Sequence, residues 1–132
     1  VKIFGDNLFS KKMKFSPTKK LARSLHSDVA KNIEEAKKKI KSSNDKEAKL
    51  QIKSIMKKII RTAFSIVMED ENYWTTDLGE MTKIFTKYYP EKKQQINVVL
   101  KMAKSKSPDR KSATLILNNF GKWISLEFLK QV

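Results

Sequence analysis

One run of residues constrains this chain more than any other. Between Ile52 and Met68, apolar side chains fall at Ile52, Ile55, Met56, Ile59, Ile60, Ala63, Phe64, Val67 and Met68, a spacing of threes and fours without a miss. Residues three and four apart share one face of an α-helix, so this stretch predicts a helix with an apolar stripe wide enough to be packed from several sides. Such a helix belongs at the centre of an all-α bundle. Methionine and aromatic residues at this spacing are core rather than a ligand box.

Shorter helical patterns surround it. Ser16-Pro17 has the form of an N-cap with proline at the first helical position, and Leu21, Leu25, Val29, Ile33 and Ile40 follow at helical spacing. Ser42 to Asp45 ends that helix and caps the central one. After "EDENYWTT", Thr76 is placed to cap a short helix with Leu78, Met81, Phe85 and Tyr88 inward, and with Asp77 and Glu80 in its first turn. Tyr89-Pro90-Glu91 opens a fourth helix carrying Ile96, Val99, Leu100 and Ala103. Ser107-Pro108 starts the last, whose apolar face is Leu115, Ile116, Leu117, Phe120, Trp123, Ile124, Phe128 and Leu129. The expectation is an antiparallel bundle of about five helices over residues 16–132. A short extended segment, "VKIFGDNLF" and the basic loop after it, precedes the bundle over residues 1–15. Gly121 lies inside the last helix at a cost of about 1 kcal/mol relative to alanine, unless another helix approaches closely there.

The chain has 132 residues, no cysteine and a net charge of +15. Disulfides and thiolate metal sites are therefore excluded, and no segment offers the ~20 consecutive apolar residues of a membrane span. With no signal-peptide pattern either, a cytoplasmic protein without a membrane partner is expected. The positive surplus points to phosphate-bearing partners such as nucleotides, nucleic acid or an acidic domain. Lysine far outnumbers arginine, so a merely solvated basic face stands beside nucleic-acid binding as the alternative.

No catalytic centre can be assembled from these residues. His26 is the single histidine, and Arg23 lies too close to it for the spacing of HEPN-type ribonucleases. Carboxylates pair at Glu34-Glu35, at Asp45 with Glu47, and at Glu69-Asp70-Glu71, but no glycine-rich phosphate loop precedes any of them. The first two groups have lysines at i,i+4 distance. The third ends the central helix beside Tyr73 and Trp74, either as a solvated loop or as part of a site. Arg61 sits within the most apolar helix, on an edge shared with Ser54, Lys57, Lys58 and Ser65. It either makes a buried ion pair with Asp77 or Glu80, or aims its fork at a phosphate.

The stretch "RTAFSIVMEDENYWTTDLGEMTKIFTKYYPEKKQQINVVLKMA", Arg61 to Ala103, resembles the C-terminal helical domain of small bacterial and archaeal nucleotidyltransferases, the group that includes aminoglycoside adenylyltransferases. The shared features are a hydrophobic helix with a mid-helix arginine, an aromatic-bearing loop, a short helix closed by an aromatic and proline, and a helix ending in "LxxA". "IFGDNL" is similar to the strand end that leads from the catalytic domain into this one. The resemblance implies a catalytic domain before Val1, with a glycine-serine turn and an Asp-x-Asp pair that hold Mg²⁺ and a nucleoside triphosphate; neither motif occurs within the chain. It implies that Arg61 contacts the triphosphate and that Tyr73, Trp74 and Asp77 line the acceptor side of the cleft. The family's lysine at the start of the short helix is replaced here by Leu78, leaving Lys83 as the nearest substitute. The lysine-rich region before Arg61 argues against a polycationic acceptor. The expected function is thus the substrate-side domain of a nucleotidyltransferase that moves a nucleoside monophosphate from NTP to an unknown acceptor. The alternative is a stand-alone basic helical module that binds nucleic acid, or pairs with a separate nucleotidyltransferase as in two-component toxin–antitoxin systems.

Overall fold

The computed structural model describes residues 29–131; the expected extended start, the Ser16-Pro17 cap, Leu21, Leu25 and His26 lie outside them. Helix α1, Val29–Ser42, buries Val29, Ile33, Ala36 and Ile40, one residue per turn. Asn44 then caps helix α2, Asp45–Glu71, accepting the Glu47 N–H at 2.9 Å. At 27 residues, α2 is about 40 Å long, and α1 and every later helical rod except the short turn after α3 pack on it. Every apolar position expected in its stripe is buried. Up to Arg61 the helix keeps an outer face; from Thr62 to Met68 every residue is buried. Two hydroxyls in that segment bond back along the helix, Thr62 to the Lys58 carbonyl and Ser65 to the Thr62 carbonyl, as burial of a polar group requires. Asn72 ends the helix in the left-handed region at φ 56°, and its N–H closes on Met68 and Glu69. After glycine, asparagine tolerates that conformation best.

Helix α3, Leu78–Tyr88, is capped by Asp77 rather than Thr76. The Asp77 carboxylate accepts the Glu80 N–H at 2.8 Å, and an anion at a helix N-terminus outcompetes the neighbouring hydroxyl. The same substitution occurs further on. Asp109, not Ser107-Pro108, caps α5, accepting both the N–H and the hydroxyl of Ser112 at 2.8 Å. Those bonds, the backbone one foremost, hold its carboxyl below the usual carboxylate range. A short 3₁₀ turn, Pro90–Lys92, leads from α3 into α4, Lys93–Lys104.

The last rod is α5, Arg110–Ile116, a π-helical turn, Leu117–Gly121, and α6, Lys122–Gln131. A π turn admits one extra residue and rotates the helix beyond it. Leu115 and Leu129, expected in the apolar face, are 64% and 54% exposed, while Ala113, Leu117, Phe120, Ile124 and Phe128, three or four residues apart, carry the contact. Gly121 faces α1: a Cβ there would stand 3.4 Å from Ile33 Cδ1, in ordinary van der Waals contact, so the space does not by itself demand glycine. At the other end of the same crossing, Arg110 donates to the Ile40 carbonyl at 2.8 Å and to Asp45 at 2.6 Å. It thereby satisfies a terminal carbonyl of α1 and ties the α1–α2 turn to α5.

Between α3 and the last rod lies an aromatic cluster. Phe85 stacks on Tyr89 at 4.8 Å between centroids and meets Phe120 and Trp123 edge-on. Tyr88, expected inward, points out and donates to Glu71 at 2.8 Å. Both tyrosines lie one turn beyond Phe85, but the helix stops at Tyr88, and the non-helical backbone of Tyr89 (φ −129°, ψ 65°) brings the second ring back to the core. There its hydroxyl donates to Glu127 at 2.9 Å. Burial first, then the bond to the Glu127 carboxylate, pushes the Tyr89 phenol from 10.0 up to about 12. A raised acid pKa contributes stability that is whole below the unfolded value and fades as pH rises through the folded one. Melting temperature should therefore fall between pH 10 and about 12, and less steeply in Tyr89→Phe. Identical alkaline profiles for the two proteins would rule Tyr89 out as a contributor.

Candidate functional site

The outer face of α2 is cationic. At about 100° per residue, Lys46, Lys53, Lys57 and Arg61 fall within roughly a quarter of the helix circumference, opposite the buried stripe. Leu50 and Ser54 share the strip, while Lys49 and Lys58 flank it on either side. From Lys46 to Arg61 the strip rises about 22 Å. Each of these side chains is exposed or half-buried. None makes an ion pair among the described residues; Asp45 is engaged by Arg110, and Glu34 by Lys37 at 2.8 Å. Glu47 is the one carboxylate between Lys46 and Arg61. Four cations in the strip and two on its flanks, with no ion pair among the described residues, set up a positive field along this face.

Arg61 belongs to this row. It does not form the expected buried ion pair: position 61 is the last outward-facing position before the fully buried segment from Thr62 to Met68. Its proposed carboxylate partners are committed elsewhere. Asp77 caps α3, and Glu80 accepts from the hydroxyls of Thr75 and Tyr73, while Thr75 in turn accepts the Asp77 N–H. Of the expected site residues, the structure joins Tyr73 and Asp77, but in a network that builds a helix start. Burial, followed by the Glu80 carboxylate, raises the Tyr73 phenol above its ordinary value. Lys83 is exposed on α3, beyond that network. Arg61 also lies ten residues, or about 15 Å of rise, before the end of α2, so the loop after that end is not beside it.

Trp74 is 67% exposed, the most exposed aromatic ring among the described residues. It sits where the charge is reversed. No lysine or arginine occurs between Arg61 and Lys83, while Glu69, Asp70, Glu71, Asp77 and Glu80 all do. Glu71 is held by Lys87 at 2.9 Å and by the Tyr88 hydroxyl, which together keep its carboxyl below the ordinary range. Among the described residues no three His, Asp or Glu side chains converge as a metal site would need. A separate open groove of about 830 Å³ runs between α1 and α5, with Ile40 and Leu115 among Lys38, Lys41 and Lys111.

Lys57, Lys58 and Arg61 stand out in the sequence beside the apolar stripe; Lys46 and Lys53 do not. The signal was present: Lys46, Lys53, Lys57 and Arg61 recur along the outer face, and none of the four has an acid at i−4 or i+4. No protein-family profile, curated protein or solved structure matches this chain.

Proposed function

We propose that this domain binds phosphate-bearing polyanions, nucleic acid foremost, through the α2 strip of Lys46, Lys53, Lys57 and Arg61. The carrying observation is the row itself, some 22 Å of helix with six cations and no ion pair among the described residues. Two neighbouring cations suffice for a triphosphate; a row of this length matches a chain of phosphates. Lysine suits that role as a mobile point charge that needs no fixed acceptor geometry. Each phosphate neutralised releases counterions, so affinity should fall steeply with salt.

Fluorescence anisotropy of a labelled DNA duplex against salt tests this. The slope of log K on log salt should lie between about −3.6 and −5.4, the values for four and for six neutralised phosphates at about 0.9 each. Absent binding, or binding indifferent to salt, would remove the proposal.

A second reading rests on Arg61, which stays exposed and without an ion pair among the described residues, with Lys57 and Lys58 one turn before it. In the nucleotidyltransferase resemblance that fork meets the triphosphate of an NTP held with Mg²⁺ by a separate catalytic domain, which docks on this one. Saturable ATP binding that is lost in Arg61→Ala but kept in Lys46→Gln would favour it over the strip, because a triphosphate needs one end of the row and a polyanion needs all of it.

A further inference from the structure

From the way α2 is set in the bundle we infer that the polyanion is double-stranded nucleic acid, gripped by its phosphate backbones without regard to base sequence. The inference rests on the strip being the binding surface, and two observations carry it beyond that.

The first is how little of α2 is free. A helix that reads base edges must enter the major groove, which is about 12 Å wide and accepts a projecting helix with its side chains. Helix α2 does not project. α1, α3, α4 and α6 pack on it, and its buried stripe faces them. What remains outward is one strip and its flanks, able to lie on a backbone but not to enter a groove. Three of its four cations are lysines, which lack the planar fork that pairs with guanine. Phosphates are therefore the groups within reach. About 22 Å of strip faces the phosphates of roughly six nucleotides along one strand of a duplex.

The second is where the aromatic rings are. Proteins that hold single strands stack bases on aromatic side chains inside a basic groove. The α2 strip has no aromatic residue; Leu50 and Ser54 occupy its gaps. Among the described residues the exposed rings are Tyr73, Trp74 and Tyr88; Tyr73 and Trp74 lie within residues 69–80, a segment with five carboxylates and no cation, and Tyr88 donates to Glu71 beside Lys87. That arrangement repels a phosphate chain from the very rings on which its bases would stack. A duplex needs no stacking partner and offers a denser row of charge than a single strand.

The test compares the intact chain on three probes at one salt concentration: an A·T-rich DNA duplex, a G·C-rich duplex of the same length, and oligo-dT with the same number of phosphates. The two duplexes should bind within about threefold of each other, oligo-dT should bind about tenfold or more weakly, and the protein's tryptophan emission should not be quenched by oligo-dT. Equal or tighter binding of oligo-dT with quenching would overturn the inference while leaving the strip in place. A preference beyond about tenfold between the duplexes would overturn it too, because it requires base contact. Failure of all three probes to bind would remove the strip itself, and this inference with it.

Discussion

Replacing Phe85 by alanine should lower the stability of this protein by about 3–5 kcal/mol, the range for deleting a fully buried phenylalanine. Phe85 is 0% exposed. It is the ring shared by the contacts to Tyr89, Phe120 and Trp123, so its removal opens a cavity where α3 meets the π turn and the start of α6. Those neighbours cannot collapse readily. Tyr89 is tied to Glu127, and Trp123 lies beneath the Lys92 ammonium at 4.6 Å. Domains of this size have about 5–15 kcal/mol in total, so the loss would consume a large part of it. Urea unfolding should show a lower midpoint with an unchanged slope. Phe85→Leu, which keeps most of the volume, should cost about 1.5 kcal/mol or less. A loss under about 1 kcal/mol for the alanine variant would mean that this cluster does not hold α3 in place.

The fourfold variant Lys46→Gln, Lys53→Gln, Lys57→Gln, Arg61→Gln should behave in the opposite way: almost no change in stability and a large change in binding. None of the four side chains has an ion pair to lose among the described residues, and surface substitutions of this kind stay within about 0.5 kcal/mol each. The salt slope for duplex binding should become shallower by about 3.6, as four phosphate contacts disappear. The matched control is Lys83→Gln, Lys93→Gln, Lys104→Gln, Lys122→Gln, four exposed lysines on other elements. It removes the same charge from a chain of +15, so equal losses in the two variants would assign binding to diffuse charge and not to the strip.

The contrast between these variants mirrors what the sequence could and could not disclose. Burial on α2 was legible because it needs only periodicity: each expected stripe residue is inside. Among the described residues the starts of α2, α3 and α5 were legible to within a residue or two, and the errors share a cause. Thr76 and Ser107-Pro108 match the usual capping pattern, but a carboxylate one or two residues later bonds the exposed N–H groups more strongly. Tyr88 and Tyr89 were indistinguishable by spacing, since the turn that separates them begins only where the helix ends. Leu115 and Leu129 were misplaced because they were grouped by hydrophobicity alone: at about 100° per residue both fall on the far side from Ala113, Leu117, Phe120 and Ile124. The site was harder still. Arg61 looked like a buried charge in need of a partner because its linear neighbours are apolar, whereas exposure depends on which face the other helices leave uncovered. Lysines are the commonest surface residues here. What marks the strip is the absence of i±4 acids to its four cations and of any ion pair to them among the described residues, and the second of these becomes visible only after folding.

The segregation of charge has a consequence for how the molecule approaches a partner. Among the described residues, five carboxylates and no cation lie between Arg61 and Lys83, while Lys46, Lys53, Lys57 and Arg61 line the earlier part of α2, so this part of the protein is polarised as well as cationic. Near a strongly negative surface it experiences a torque as well as an attraction, so it arrives already rotated and few encounters are wasted on the wrong face. In the complex proposed above, the same torque would leave the Trp74 end pointing into solvent.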